Sequence, residues 1–206
     1  SARNRMRVLS QHISSGRAAL CGDTVLALRE LKMQISLNVP RTISGKMSDH
    51  VHMYVDASYE PEGYSGVGGV FYDSSGQSCF FFSEQVSPDF LLSIKKDEQK
   101  NMIQELEMLA LLIAAVLWLP MAEGKRVVIF SDSEAVRGSF LKSWSHNDAS
   151  SQLLKKIFSL EDRSGCQIWL ERVPSQSNPS DHLSRSVVTI WNGLTSSRVD
   201  PESIWR

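Results

Sequence analysis

Cysteine is scarce in this 206-residue chain: Cys21, Cys79 and Cys166 are odd in number, widely spaced, and form no CxxC pair. That excludes a zinc ribbon and a disulfide framework, and it sets the expectation of reduced thiols in an intracellular, reducing compartment, cytoplasm or nucleus. Long apolar runs are missing as well. The longest, Met108 to Leu119, has twelve residues, whereas a membrane span needs roughly 18 or more. No membrane partner is therefore expected, and that run reads as a buried helix. The opening SARNRMRVLSQHISS lacks the apolar stretch of a signal peptide, and a start at Ser1-Ala2 without Met reads as a piece excised from something longer. Internal repeats and low-complexity tracts are absent. Net charge is almost absent too, at −1, but it is unevenly placed: residues 1–50 carry +5 and residues 51–206 carry −6. This is not the profile of a uniformly basic nucleic-acid binder. An acidic body needs bound cations before it can accept a phosphate backbone. Arg3, Arg5, Arg7 and Arg17 either add attraction from the N-terminal side or are simply solvated helix charges.

What is present divides the chain in three. Residues 1–48 read as a helical segment followed by a linker: RMRVLSQHI and TVLALRELKMQI have apolar positions near helical spacing, and LNVPRTISGKMSD is rich in turn formers. Residues 49–186 read as the main domain and 187–206 as a tail. VHMYVDAS alternates apolar and polar residues. VGGVFYD and SCFFFSEQV flank the turn Asp73-Ser74-Ser75-Gly76, so three strands in succession form an antiparallel meander. A long helix is expected from about Asp97 to Leu119, stopped by Pro120. Lys125 to Ser131 reads as a buried central strand, Asp132-Ser133-Glu134 as the opening of a helix that runs to about Lys142, and Asp148 to about Arg163 as another, with Asp148-Ala149-Ser150 as its cap. CQIWLERV reads as a fifth strand, and Asn178-Pro179-Ser180-Asp181 opens a last helix. The order predicts an α/β fold: a mixed five-stranded sheet, three antiparallel strands then two parallel, with helices on both faces.

Four acids stand on four different elements: Asp56 at the end of the first strand, Glu107 in the long helix, Asp132 after the fourth strand, and Asp181 at the last helix. Their spacings are 51, 25 and 49 residues, so only folding can gather them. Carboxylates crowded in one cleft repel each other unless a divalent cation neutralises them, and hard oxygen ligands suit Mg²⁺ or Mn²⁺. Two such ions about 4 Å apart can activate a water and stabilise a leaving 3′ oxygen in phosphodiester hydrolysis. Asp56, on the central strand, is the candidate bridge between them. Singly, each acid has a plainer reading: Asp132 as a helix cap, Asp181 as a first-turn acid. Glu107 is harder to dismiss, since it immediately precedes the apolar run and a buried carboxylate without a partner is costly. Glu105 is its competitor but points about 200° away around the helix.

These segments resemble the ribonuclease H family, and especially the ribonuclease H domains behind the reverse transcriptases of tyrosine-recombinase and gypsy-like retroelements. The resemblance rests on YVDAS, the glycine-containing second strand SGVGGVFYD, LEMLALLIAA with its Glu-x-x-Ala spacing, IFSDSEA, and NPSDHLSR, over residues 50–186. More loosely, LSQHISSGRAAL and LNVPRTIS resemble the helical connection that follows a polymerase thumb. The resemblance implies a ribonuclease H-like fold and an endoribonuclease that cuts the RNA strand of RNA/DNA hybrids with two Mg²⁺ or Mn²⁺ ions, as the C-terminal part of a reverse transcriptase whose polymerase domain delivers the substrate. It carries catalytic and metal-binding roles onto Asp56, Glu107, Asp132 and Asp181; substrate contact is further expected of Ser58, Ser133 and Arg185, and of Trp144, which either stacks on a sugar or base or is a half-buried core residue. Recognition would rest on A-like shape and 2′-hydroxyls rather than on bases.

The chain departs from the family in two places. The loop VPSQSNPS has no histidine before the last acid, and His182 should point elsewhere on its helix. The stretch from Lys142 to Lys156 is too sparse in cations for a basic protrusion. Other readings stay open: a non-catalytic connection module of the same fold, a related 3′–5′ exonuclease, or a transposase. The last two are disfavoured by Asp56-Ala57-Ser58 in place of Asp-x-Glu, and by Asp181 in place of a Glu.

Overall fold

The alternating and β-branched segments form one sheet because each has a face that must be buried and a backbone that must be paired. The computed structural model describes residues 5, 8, 9, 12, 13, 21–37, 50–61, 63–95 and 101–206. The chain divides into two compact units, Ser1–Met47 and Ser48–Arg206. In the first, helix α1 spans Gly22–Leu37. Most of the other expected N-terminal helix, and the linker over 38–48, lie outside the described residues.

In the second unit β1 (His50–Tyr59), β2 (Ser65–Tyr72) and β3 (Ser78–Gln85) are the expected antiparallel meander. The β2–β3 turn closes on Gly76, whose φ of 80° is open to glycine at no steric cost. β4 (Arg126–Ser131) pairs in parallel with β1, and β5 (Gln167–Arg172) in parallel with β4. The sheet has six strands rather than five, in the order β5-β4-β1-β2-β3-β6. The extra strand, β6 (Thr195–Ser196), pairs in parallel with β3 at Phe80 and Phe81. Two residues are too short to show any alternation, so the sequence carries no signal for it.

Six helices complete this unit among the described residues, and two start differently from expectation. α2 spans Pro88–Ile94. α3 spans Ile103–Trp118. Asn101 and Met102 stand outside α3, and the expected start near Asp97 lies outside the described residues. α4 spans Glu134–Lys142, and α5 spans Asp148–Ser164, capped by Asn147 rather than by Asp148. The Asn147 Oδ1 accepts from Ser150 N at 3.0 Å, a bond that sends Asp148 into the first turn. α6 is the single turn Asp181–Ser184, and α7 is Pro201–Trp205.

The helices lie on both faces. α3 is buried nearly all round. It packs on the Val51, Met53, Val55 and Ala57 side of β1 and against Leu153, Leu154, Ile157 and Phe158 of α5. On the opposite face α6 rests on β1, β2 and β3, and Leu183 joins Val70, Phe81 and Trp191 in a smaller cluster. The C-terminal tail docks on the same unit. Trp205 meets the edge of Phe90 at 5.6 Å, Ser87 Oγ donates to Glu202 Oε1 at 2.6 Å, and Lys156 Nζ donates to the carbonyls of Ile204 and Trp205 at 3.2 and 2.7 Å. No helix among the described residues is long and apolar enough to cross a membrane.

Candidate active site

Parallel pairing decides which acids meet. β1 and β4 run side by side with Tyr54 opposite Phe130, so two residues further on Asp56 and Asp132 are neighbours; Asp132 stands just past the end of β4, whereas Asp56 lies within β1, which runs on to Tyr59 rather than ending there. Glu107 reaches them from the first turns of α3. It accepts from the Ala57 backbone N–H, and Ser131 Oγ donates to its Oε2 at 3.4 Å, so it bridges β1 and the end of β4. One carboxylate oxygen from each of Asp56, Glu107 and Asp132 lies within 4.8 Å of the others. Asp56 and Glu107 are 3% and 5% exposed, which leaves water little access to screen them from each other.

Asp132 is not a helix cap. The capping oxygen belongs to Ser133, which accepts from Val136 N at 3.4 Å. Asp181 stands outside the tight group of three. Its Oδ1 accepts from Arg185 Nε at 3.2 Å in a half-exposed pair, yet it is close enough for its charge to act on Asp56. The structure therefore gathers three of the four expected acids closely and places the fourth nearby.

Burial pushes the Asp56 carboxyl up from 3.8 to about 7, with the charges of Asp132 and Asp181 adding to it, against the hydrogen bond from Ser184 and the charge of Arg185. Burial likewise holds the Glu107 carboxyl well above its ordinary range. Asp56 and Asp132 push it further, against the bonds from Ala57 and Ser131. A cluster that resists ionisation by itself is relieved by a cation. The donor set is all carboxylate oxygen, converging from three elements, which fits a hard divalent ion such as Mg²⁺ or Mn²⁺.

Glu105 is also buried, at 2% exposure, but its Oε1 accepts from Asn147 Nδ2. It thus holds the residue that caps α5. Glu105→Ala is expected to destabilise the fold by about 2 kcal/mol, because the Asn147 amide loses its acceptor inside the protein. Activity per folded molecule should stay unchanged. Urea unfolding beside a rate assay checks both.

The four expected substrate contacts sit differently from one another. Ser58 is buried and its Oγ donates to the Ser184 carbonyl at 2.7 Å, so its hydroxyl is committed inward rather than offered to a ligand. Ser133 is occupied as the α4 cap. Trp144 is half-buried, edge to face with His146 at 4.0 Å, and lines a cavity of about 630 Å³ with Gln104, Lys142, Ser145 and Asn147. Arg185 is exposed beside Asp181.

Sequence reasoning missed the frame that holds α6 against the sheet. Asn178 Nδ2 donates to the Val55 carbonyl at 3.0 Å while its Oδ1 accepts from Ser180 Oγ at 2.6 Å. Ser83 Oγ donates to the Leu183 carbonyl at 2.6 Å, and Ser184 Oγ donates to Asp56 Oδ2 at 2.5 Å. Gly66 and Gly68 lie directly under this turn. The signal for the frame was the glycines of β2, two of which, Gly66 and Gly68, mark a close backbone approach.

No protein-family model matches the chain, and no curated protein matches it. Solved structures do. Ribonuclease H1 from the halophilic archaeon Halobacterium salinarum is 18% identical, with a TM-score of 0.54 over 68% of this chain and 97% of that one. The N-terminal ribonuclease H domain of rv2228c from Mycobacterium tuberculosis is 17% identical, with a TM-score of 0.53 over 66% of this chain and 97% of that one. The compost-derived LC11 ribonuclease H1, in complex with an RNA/DNA hybrid, is 15% identical, with a TM-score of 0.55 over 68% of this chain and 98% of that one. At these identities the likeness shows the fold, which is ribonuclease H-like.

Proposed function

We propose that this chain is a metal-dependent endoribonuclease that hydrolyses the RNA strand of RNA/DNA hybrids. The observation that carries the proposal is the convergence of Asp56, Glu107 and Asp132, two of them buried, with oxygens within 4.8 Å on a fold shared with ribonucleases H. Asp56, Glu107 and Asp132 would hold Mg²⁺ or Mn²⁺, with Asp181 joining as the fourth ligand, and two ions there would supply an activated water and stabilisation of the leaving 3′ oxygen. The chain's own part is to keep the carboxylates ready. Glu107 is fixed between β1 and the end of β4, and Asp56 is held by Ser184.

The hybrid as substrate is supported by the complex of the LC11 enzyme and by the lack of any base-reading motif in this chain. Arg185 is a candidate phosphate contact from its exposed place beside Asp181. Trp144 is a candidate stacking or sugar contact at the mouth of its cavity. Cations are few in the stretch from Lys142 to Lys156, and Lys156 itself is occupied by the tail carbonyls. Weak hybrid binding by this chain alone therefore fits a domain at the C-terminal end of a reverse transcriptase, supplied with substrate by its polymerase.

The test is cleavage of an end-labelled RNA/DNA hybrid beside single-stranded RNA and duplex DNA, with Mg²⁺, Mn²⁺ or EDTA. The expected result is metal-dependent cutting of the hybrid's RNA strand, lost in Asp132→Asn. No cleavage by a folded protein, with the polymerase domain present, would favour a non-catalytic connection module. Attack on DNA would favour the exonuclease reading.

A further inference from the structure

Ser184 is neither acidic nor exposed, yet it touches two of the four acids. It is 0% exposed. Its Oγ lies 2.5 Å from Asp56 Oδ2 and 2.9 Å from the carbonyl oxygen of Asp181. Its own carbonyl accepts from Ser58 Oγ at 2.7 Å, and its backbone sits over Gly66 and Gly68 where a β-carbon would intrude. The residue is thus locked in place by the sheet, and its hydroxyl is aimed at one oxygen of the first carboxylate.

A hydroxyl has one proton to donate. With Asp56 ionised, the short contact to Oδ2 is the one that takes it, since a charged acceptor binds the hydrogen more strongly than a peptide carbonyl does. Fixing Oδ2 fixes the plane of the Asp56 carboxylate and decides which lone pairs of Asp56 are left for a ligand. The same side chain joins that carboxylate to the turn carrying Asp181. Groups that hold a ligating carboxylate by a hydrogen bond tune metal affinity by about 10- to 100-fold.

We propose that Ser184 is a positioning residue for the metal site: it orients Asp56 for the cation and holds it in fixed relation to Asp181, beyond any part it has in docking α6. This rests on the reading of the carboxylates as a metal site. A purely structural role is separable, because Ser83 makes a docking bond of the same kind, to the Leu183 carbonyl at 2.6 Å, without touching a carboxylate.

The experiment is Mn²⁺ titration of the full chain without substrate, by calorimetry and by electron paramagnetic resonance. Wild type, Ser184→Ala, Ser184→Cys, Ser83→Ala and Asp132→Asn would be compared, each with its melting curve. The expected result is that Ser184→Ala and Ser83→Ala lower the melting temperature comparably, while only Ser184→Ala weakens Mn²⁺ binding, by about tenfold or more. Ser184→Cys, which keeps the packing but donates weakly, should fall between wild type and Ala, and it serves the test if the Ala variant does not fold. Unchanged Mn²⁺ affinity in the Ser184 variants, or an equal loss in Ser83→Ala, overturns the inference while leaving the metal site standing. A wild type that binds Mn²⁺ no better than Asp132→Asn removes the metal site, and this inference with it.

Discussion

Glu107→Gln is expected to reduce hybrid cleavage by about a thousandfold while raising the melting temperature of the metal-free protein by about 5 °C. The two effects share one cause. Glu107 is enclosed with the Asp56 and Asp132 carboxylates, and burial followed by their charges holds its carboxyl well above the ordinary 4.5. A glutamine of the same shape keeps an oxygen for the Ala57 N–H and turns an amide toward its two anionic neighbours, so a repulsive contact becomes a favourable one. What it cannot do is supply a second anionic oxygen to a cation. The pH dependence follows with a definite sign. The folded chain binds the Glu107 and Asp56 protons more tightly than the unfolded chain, so metal-free wild type loses stability as pH rises above the ordinary carboxylate range, through about 7 for Asp56 and well above 4.5 for Glu107. The stabilising effect of Glu107→Gln should therefore be greater at pH 8 than at pH 5, and reversed by saturating Mn²⁺, which stabilises only the chain able to bind it. Melting curves at the two pH values, with and without Mn²⁺, are the measurement. A Gln variant less stable than wild type at pH 8 without metal would mean that Glu107 is not held against like charge.

The parts of the site that were legible in the sequence are those where one residue type serves one demand. Asp56 and Asp132 each close an apolar run in the sequence, although β1 itself continues to Tyr59, and a strand's period fixes where such a residue points. Once the two strands pair in parallel the acids are neighbours. Helix geometry lets only one of Glu105 and Glu107 face the cleft, and the Glu-x-x-Ala spacing of the resemblance picks Glu107. What was hidden depends on partners distant in sequence. Glu105 is buried as deeply as Glu107, and only the fold shows that its oxygen belongs to Asn147, 42 residues on. The serines were illegible for a similar reason. Ser58 and Ser184 are 126 residues apart and become informative only when the hydroxyl of one is found on the carbonyl of the other. β6 has two residues and exists because β3 offers an edge rather than because Thr195 and Ser196 demand a strand. Asp181 was legible as a candidate, but its half-exposed pairing with Arg185, four residues on, is a local contact that no pattern distinguishes from an ordinary surface pair.

Gly68→Ala should be the most damaging substitution that removes no functional group. A β-carbon at Gly68 would stand against the backbone nitrogen of Ser184, with Leu183 Cβ at 2.5 Å and Leu183 C at 2.6 Å. None of these is the far end of a flexible side chain. Two of the three are backbone, and Leu183 is 0% exposed in the cluster that pins α6 to the sheet. Neither side can yield cheaply: Gly68 is paired with Asp56 on β1 and with Ser83 on β3, so the strand cannot retreat without breaking the middle of the sheet. α6 must therefore lift, and with it go the Ser184 bond to Asp56 and the position of Asp181. The expected result is a loss of about 3 kcal/mol in stability and, in molecules that still fold, cleavage lower by about a hundredfold, because a shift near 1 Å in a reacting group is enough for that. Gly138→Ala is the matched control. It lies within α4, with nothing within 4 Å of the added carbon, and should be neutral or slightly stabilising. Urea unfolding of both variants, together with cleavage rates normalised to the folded fraction, separates the two effects. A Gly68→Ala protein of wild-type stability would show that α6 is free to move away from the sheet, and the rigid coupling of Asp181 to Asp56 would have to be abandoned.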